Sequence, residues 1–200
     1  MSVLSLGVAR VGPQERISDD ALMLSVQRGQ AGLFAEIFRR YRDPVYNYLR
    51  RMTGDDDRAQ ELTQEVFLHA LRASRTYKAD GRFRAWLYRI ATNLARTEHA
   101  RKTTETDGLE RLRHEASGFH DDGGRLGDGL ETDERKAIVH EALMRLSERE
   151  RSVVVLRHYQ DMKFREIAEV LDLNEATVKS RMRYALEKLS RHLAPYIGKI

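Results

Sequence analysis

The chain has 200 residues, 41% of them hydrophobic and 33% charged, with no cysteine and a formal net charge of +4. That length allows one domain or two small ones, and the missing cysteine excludes disulfides and thiolate metal sites and fits a reduced cytosolic compartment. No apolar run approaches the roughly 20 residues that cross a bilayer, and Met1 to Gly12 lack the charged start and long apolar stretch of a signal peptide.

Residues 1–18 read as a short disordered leader. Ser18-Asp19-Asp20 then caps a short helix from about Ala21 to Arg28, ended by Gly29. A second helix begins near Ala31, with Phe34, Ile37, Phe38 and Tyr41 at helical spacing. Pro44 lacks an amide hydrogen and kinks or restarts it, and Val45, Tyr48, Leu49 and Met52 carry the stripe on to Gly54. Asp55-Asp56-Asp57 suits the positive end of a third helix, which carries Leu62, Val66, Phe67, Ala70 and Leu71. After a loop from Ser74 to Gly81, a fourth helix from about Phe83 to Lys102 buries Phe83, Leu87, Ile90, Ala91 and Leu94. Across residues 19–102 Lys and Arg outnumber Asp and Glu by 16 to 11.

Thr103 to Asp133 differs in kind. It holds Gly108, Gly118, Gly123, Gly124, Gly127 and Gly129, with nine acids against three bases and little apolar content. It reads as a flexible acidic linker, too polar to bury and too rich in glycine for a long helix. Residues 134–200 are basic again, by 14 to 10. A helix from about Glu134 to Leu146 is followed by Ser147 and Glu150, spaced as a capping box for a helix holding Val153, Val154, Leu156 and Tyr159. Two more follow, from Phe164 to Leu171 and from Glu175 to about Leu193. Beta-branched alternation is nearly absent, so the expected fold is all-α: two small helical domains, 19–102 and 134–200, joined by the linker 103–133.

Two basic blocks around an acidic one suggest a polyanion partner, of which nucleic acid is the commonest; a solvated surface with uneven charge is the alternative. The sharpest local pattern is FREIAEVLDLNEATVKSRMRYALEKL, from Phe164 to Leu189. A short helix burying Ile167, Ala168 and Leu171 meets, through Asp172-Leu173-Asn174, a longer one burying Val178, Met182, Ala185, Leu186 and Leu189. Small Ala168 where the helices approach, and Leu173 at the corner, make a helix-turn-helix. At 100° per residue, Ala176, Thr177, Ser180, Arg183 and Tyr184 point away from the core, with Lys179 and Arg181 beside them. A major groove admits such a helix: arginine reads guanine edges, hydroxyls bond bases or phosphates, and lysine attracts phosphate. A helical hairpin with a solvated basic face would share this pattern.

The fourth helix, FRAWLYRIATNLARTEHARK, together with Arg82, sets Arg82, Arg84, Arg89, Arg96, Arg101 and Lys102 against one acid, Glu98. Trp86 and Tyr88 interleave with these cations and Asn93 offers donors and acceptors, a combination that stacks unpaired bases and holds phosphates. Trp86 fits a core position equally well. There is no phosphate-cradling glycine loop, no nucleophile motif and no metal-ligand spacing among the histidines, His99, His114 and His120 included. No cofactor and no enzymatic activity are expected.

The run ALMRLSERERSVVVLRHYQDMKFREIAEVLDLNEATVKSRMRYALEKL resembles the C-terminal promoter-binding domain of bacterial sigma factors of the sigma-70 family, with Asp172 where that family often has glycine. AGLFAEIFRRYRDPVYNYLRRMTGDDDRAQELTQEVFLHALR resembles their N-terminal helices. The absence of other sigma regions between the two matches resembles the compact extracytoplasmic-function (ECF) group. The resemblance implies that Asp57, Glu61, Gln64 and Glu65 dock on the clamp coiled coil of core RNA polymerase. It implies that Arg84, Trp86, Tyr88, Arg89, Asn93 and Arg96 bind an opened −10 element, with the loop from Tyr77 to Arg82 helping to form a pocket for a flipped base. It further implies that Arg157, Lys179 and Ser180 lie at the −35 element, and the helical spacing adds Thr177, Arg181, Arg183 and Tyr184 to the residues expected to bind it. The implied partners are core polymerase, promoter DNA and an anti-sigma factor, in the cytoplasm and without direct membrane insertion. The acidic linker is then either a mimic of the RNA path through polymerase or a plain spacer. A helix-turn-helix regulator acting alone would leave the first half unexplained, and a nuclease would need a carboxylate or histidine cluster that the chain does not show.

Overall fold

The computed structural model describes residues 17–109 and 129–196, and every regular element among them is helical. In chain order these are α1 (Asp19–Gln27), α2 (Phe34–Thr53), α3 (Asp56–Ala73), α4 (Phe83–Leu109), α5 (Gly129–Met144), α6 (Glu148–His158), α7 (Phe164–Leu171) and α8 (Glu175–Leu193), with short 3-10 turns before α2, after α3 and after α8. The expected leader falls mostly, and the middle of the expected linker wholly, outside the described residues.

Local chemistry sets most helix ends. Ser18 caps α1 by accepting from the Ala21 amide at 3.2 Å, and Asp55 caps α3 by accepting from the Arg58 amide at 3.0 Å. That amide bond holds the Asp55 carboxyl below its ordinary range. Gly54 closes α2 in the left-handed conformation, with φ at 71°, which glycine adopts without steric cost. The expected capping box forms at α6, where Glu150 accepts from the Ser147 amide at 3.0 Å.

Three expectations need correction. Pro44 neither kinks nor restarts α2, which runs unbroken from Phe34 to Thr53. The ring costs one intrahelical bond, but Ile37 before it and Val45, Tyr48 and Leu49 after it are fully buried and hold both halves in line. The expected linker is shorter than 103–133: α4 continues to Leu109, because Thr103 to Asp107 contain neither glycine nor proline, and α5 already begins at Gly129. Leu71 and Leu186, placed on apolar stripes by periodicity, are exposed. The two helical groups also pack on each other.

Within the first group α2 packs on α3 and α4, and within the second α8 packs on α6 and α7. Across the groups α4 packs on α7 and α2 on α6, and the buried residues form one continuous cluster. Arg151 is the joint. Only 6% exposed, it donates to the carbonyls of Leu143 and Met144 (both 2.9 Å) and Leu146 (3.0 Å) at the end of α5. It also donates to the Met52 carbonyl in the last turn of α2, at 2.6 Å. The last carbonyls of a helix lack intrahelical donors and sit at its negative end, so one buried guanidinium satisfies two helix ends at once. Burial pushes the Arg151 guanidinium below its ordinary value, with Glu148 acting the other way.

Candidate nucleic-acid interface

The helix-turn-helix is built by α7 and α8. Asp172 takes the left-handed backbone, φ 54° and ψ 54°, and its amide together with that of Leu173 (2.9 Å) reaches the Ala168 carbonyl. Aspartate is among the few non-glycine residues that tolerate this conformation, so the turn forms without glycine. Asn174 then caps α8 by accepting from the Thr177 amide at 2.7 Å. Val178, Met182 and Ala185 face the core, while Lys179, Ser180, Arg183 and Tyr184 are exposed and Thr177 is half-buried.

Phe164 ties α6 to this face. The Arg157 guanidinium lies 5.6 Å from its ring centre and the Lys179 ammonium 5.9 Å, so Arg157 comes to the flank of α8. Lys179 pairs with Glu175 at 2.6 Å and Arg157 with Asp161 at 3.5 Å, both on the surface and open to competition by phosphate. Arg183 stacks on Tyr184 at 4.9 Å. Arg181 is half-buried, its guanidinium lowered first by burial and then by the charges of Arg149 and Arg96.

On α4 the arrangement is different. Trp86 is half-buried with its ring edge-on to Tyr77 at 4.9 Å and tilted against Phe83 at 5.6 Å. Its other side lines a cleft of about 360 Å³ shared with Tyr77, Lys78, Arg82, Arg89 and Glu169. The cleft adjoins the loop from Tyr77 to Arg82. Asn93 is exposed. The remaining expected residues are occupied by the C-terminal half. Arg84 donates to the Gln160 carbonyl, and Tyr88, 1% exposed, donates its hydroxyl to the Gln160 side chain. Arg89 donates to the Glu169 carbonyl at 3.2 Å, and Arg96 pairs with Glu148 at 3.2 Å. Tyr88 also packs edge-on against Tyr48 at 5.3 Å, and burial pushes its phenol up. In this arrangement Tyr88 cannot stack on a base. Glu98, counted as the lone acid among cations, is buried at 3% and held between Arg101 (2.9 Å) and Arg58 (3.0 Å), so Arg101 is already committed.

A family model described as Sigma-70 region 2 matches residues 37–105, and one described as Sigma-70, region 4 matches residues 136–189. The chain belongs to the sigma-70 family. It is an ECF-type sigma factor, a factor of promoter-specific transcription initiation rather than an enzyme. It is 30% identical to the ECF RNA polymerase sigma factor SigW of Bacillus subtilis, over 84% of this chain and 92% of that protein. Identity to the RNA polymerase sigma-H factor of Pseudomonas aeruginosa is 29%, covering 90% and 95% of the two chains. The ECF RNA polymerase sigma-E factor of Escherichia coli K12 is 28% identical, covering 92% and 98%. Among solved structures, CnrH in complex with the cytosolic domain of CnrY aligns with a TM-score of 0.67 and 25% identity over 88% of this chain and 97% of that one. The sigma factor RpoE in complex with the anti-sigma factor NepR from Bartonella quintana shares the fold, with a TM-score of 0.67 and 19% identity over 80% and 96%.

In this sigma factor the expected docking residues lie on α3. Asp57, Glu61 and Gln64 are exposed, and Glu65 is half-buried with Arg58 at 3.5 Å. Gln64 borders a groove of about 390 Å³ between α2 and α3, floored by Phe38, Tyr46 and Thr63. Leu68 and Leu71 on α3 are exposed as well. Among the described residues no helix is long and apolar enough to cross a membrane. The residues that periodicity missed are Gln160, Glu169, Glu148 and Arg151. Arg151 had a signal: it lies three and four residues before Val154 and Val155, so a cation occupies a core-facing position. Gln160 sits in a turn, where no periodicity points to burial.

Proposed function

We propose that the sigma factor divides promoter recognition between its halves, residues 19–102 taking core polymerase and the −10 element and residues 134–200 the −35 element. The observation that carries this reading is the exposed face of α8, where Lys179, Ser180, Arg183 and Tyr184 stand free of the core on a capped helix-turn-helix, flanked by Arg157. Arg183 and Ser180 suit base edges, and Lys179 and Arg157 suit phosphates. On α4, Trp86 and Asn93 suit unpaired bases, with Arg84, Arg89 and Arg96 on the backbone once they are released. Asp57, Glu61, Gln64 and Glu65 present an acidic and amide surface to the polymerase clamp. The chain acts in the cytoplasm, where polymerase works, and an anti-sigma factor restrains it, by analogy with the RpoE–NepR complex. Run-off transcription with core polymerase on a genomic library tests the reading: discrete promoter-dependent transcripts are expected, and their absence with active polymerase would refute it.

A further inference from the structure

We infer that α1 is the strut that sets the shape of the cleft beside Trp86, with Asp20 and Gln27 as positioning residues for −10 recognition that act through Tyr77 and not by touching DNA. The inference rests on the assignment of α4 proposed above.

The loop that borders the cleft has little of its own to hold it. Lys78 to Arg82 are exposed, and Gly81 takes the left-handed backbone at φ 79°. Tyr77 is the buried residue of the loop, 6% exposed, and its ring forms one wall of the cleft, edge-on to Trp86 at 4.9 Å and to Phe83 at 6.0 Å. Helix α1 grips this tyrosine at both ends. Asp20, in the first turn, accepts from the Tyr77 hydroxyl. Gln27, in the last turn, donates from Nε2 to the carbonyls of Ser74 (3.2 Å), Arg75 (2.9 Å) and Tyr77 (3.3 Å). Carbonyls at the end of a helix lack donors of their own, so one amide both satisfies the end of α3 and fixes where the chain leaves it.

The strut is itself anchored elsewhere. Leu22, Met23 and Val26 are buried, and Asp19 accepts from Arg40 and Tyr41 of α2, at 2.7 and 2.6 Å. Helix α1 is thus fixed to α2 independently of the loop, and the loop is fixed to α1. A wall that must present a ring to an unpaired base needs its rotamer locked by such outer bonds. Gln27 is exposed and Asp20 half-buried, so either can be replaced without opening the core.

Trp86 is the only tryptophan in the chain, so its fluorescence reads the cleft directly. In the full-length chain, Q27M keeps the length of the side chain and removes its donors, while D20A and Y77F delete the same hydroxyl bond from its two sides. Acrylamide should quench Trp86 more strongly in Q27M and D20A at unchanged far-UV helicity. D20A with Y77F should quench no more than either alone, because partners in one bond are not additive. With core polymerase on promoters randomised in the −10 element, Q27M and D20A should lose preference several-fold at one −10 base pair and keep the −35 preference; W86A serves as the cleft control. Natural quenching in folded Q27M and D20A overturns the strut, and additive effects of D20A and Y77F overturn the route through the hydroxyl. If W86A changes the −10 consensus while Q27M and D20A keep it, α1 is merely structural and the positioning role falls. If W86A itself keeps the consensus while quenching responds as expected, the failure belongs to the assignment of α4 and not to the strut.

Discussion

Helices α4 and α8 carry similar side chains, arginines interleaved with aromatics, yet they stand differently in the molecule. Helix α8 packs through Val178, Met182 and Ala185, and Ser180, Arg183 and Tyr184 on its polar face are exposed. Helix α4 packs through Phe83, Leu87, Ala91 and Ala95, and meets a second set of neighbours with Arg84, Tyr88, Arg89 and Arg96. A basic aromatic face is therefore no guarantee of an open one. The number of elements that surround a helix decides whether its functional side chains are in solvent or already paired.

The strongest way to break this contrast is to remove the joint that brings the halves together. Arg151→Ala leaves carbonyls at the ends of α2 and α5 without their donor. A buried acceptor left unpaired costs ~1–3 kcal/mol, so a total loss of at least ~3 kcal/mol is expected, read as a lower urea midpoint. A loss well under ~1 kcal/mol would mean that water replaces the guanidinium and the joint is loose.

The open face is sharpened by separating its readers. Arg183→Ala should cost ~1–3 kcal/mol and relax preference at one −35 base pair, while Lys179→Ala should weaken all sequences alike and reduce the salt slope by roughly one. Selection from a randomised −35 library decides between them: an unchanged consensus for Arg183→Ala would remove that residue from base reading.

The covered face is probed by Tyr88→Phe, which keeps the ring against Tyr48 and deletes only the hydroxyl bonded to Gln160. A loss of about 1 kcal/mol is expected, or roughly 2–4 °C in melting temperature for a chain of this size. No shift in the melt would show that the Tyr88–Gln160 bond contributes nothing to the contact between the halves.

The smallest effect is a pH dependence. His140 on α5 is lowered first by burial and then by the Arg151 charge, with Arg50 and Arg51 acting the same way and Asp56 against them. A histidine whose folded pKa is depressed gives stability that is present above its ordinary value of about 6.5 and is lost as pH falls through that window, because the unfolded chain binds the proton first. The carboxyls of Asp55, Glu98 and Glu150 are themselves lowered and titrate at more acidic pH. Urea midpoints should therefore fall between pH 7.5 and 5.5, and His140→Gln should flatten that slope. An identical slope in the variant would assign the effect to other groups.

Much was readable before any coordinates. Helical periodicity located the helices from α1 to α8, because an amphipathic stripe has the same spacing wherever the helix is placed. Short-range caps were equally legible at Ser18 and Ser147, since their bonds span only three residues. The reach of α4 past Lys102 and the early start of α5 were not, because composition averages over a segment while helix growth depends on each next residue.

The candidate site divides the same way. The sequence alone determined which way Ser180, Arg183 and Tyr184 point, because one face of an isolated amphipathic helix is left over once the other is buried. Tertiary structure alone decided that Arg157 joins α8 through Phe164 and that Gln160 and Glu169 cover α4. Those partners lie 72 and 80 residues from Tyr88 and Arg89 in the chain. No local pattern encodes a contact at that separation; it follows from how two amphipathic groups bury their remaining faces against each other.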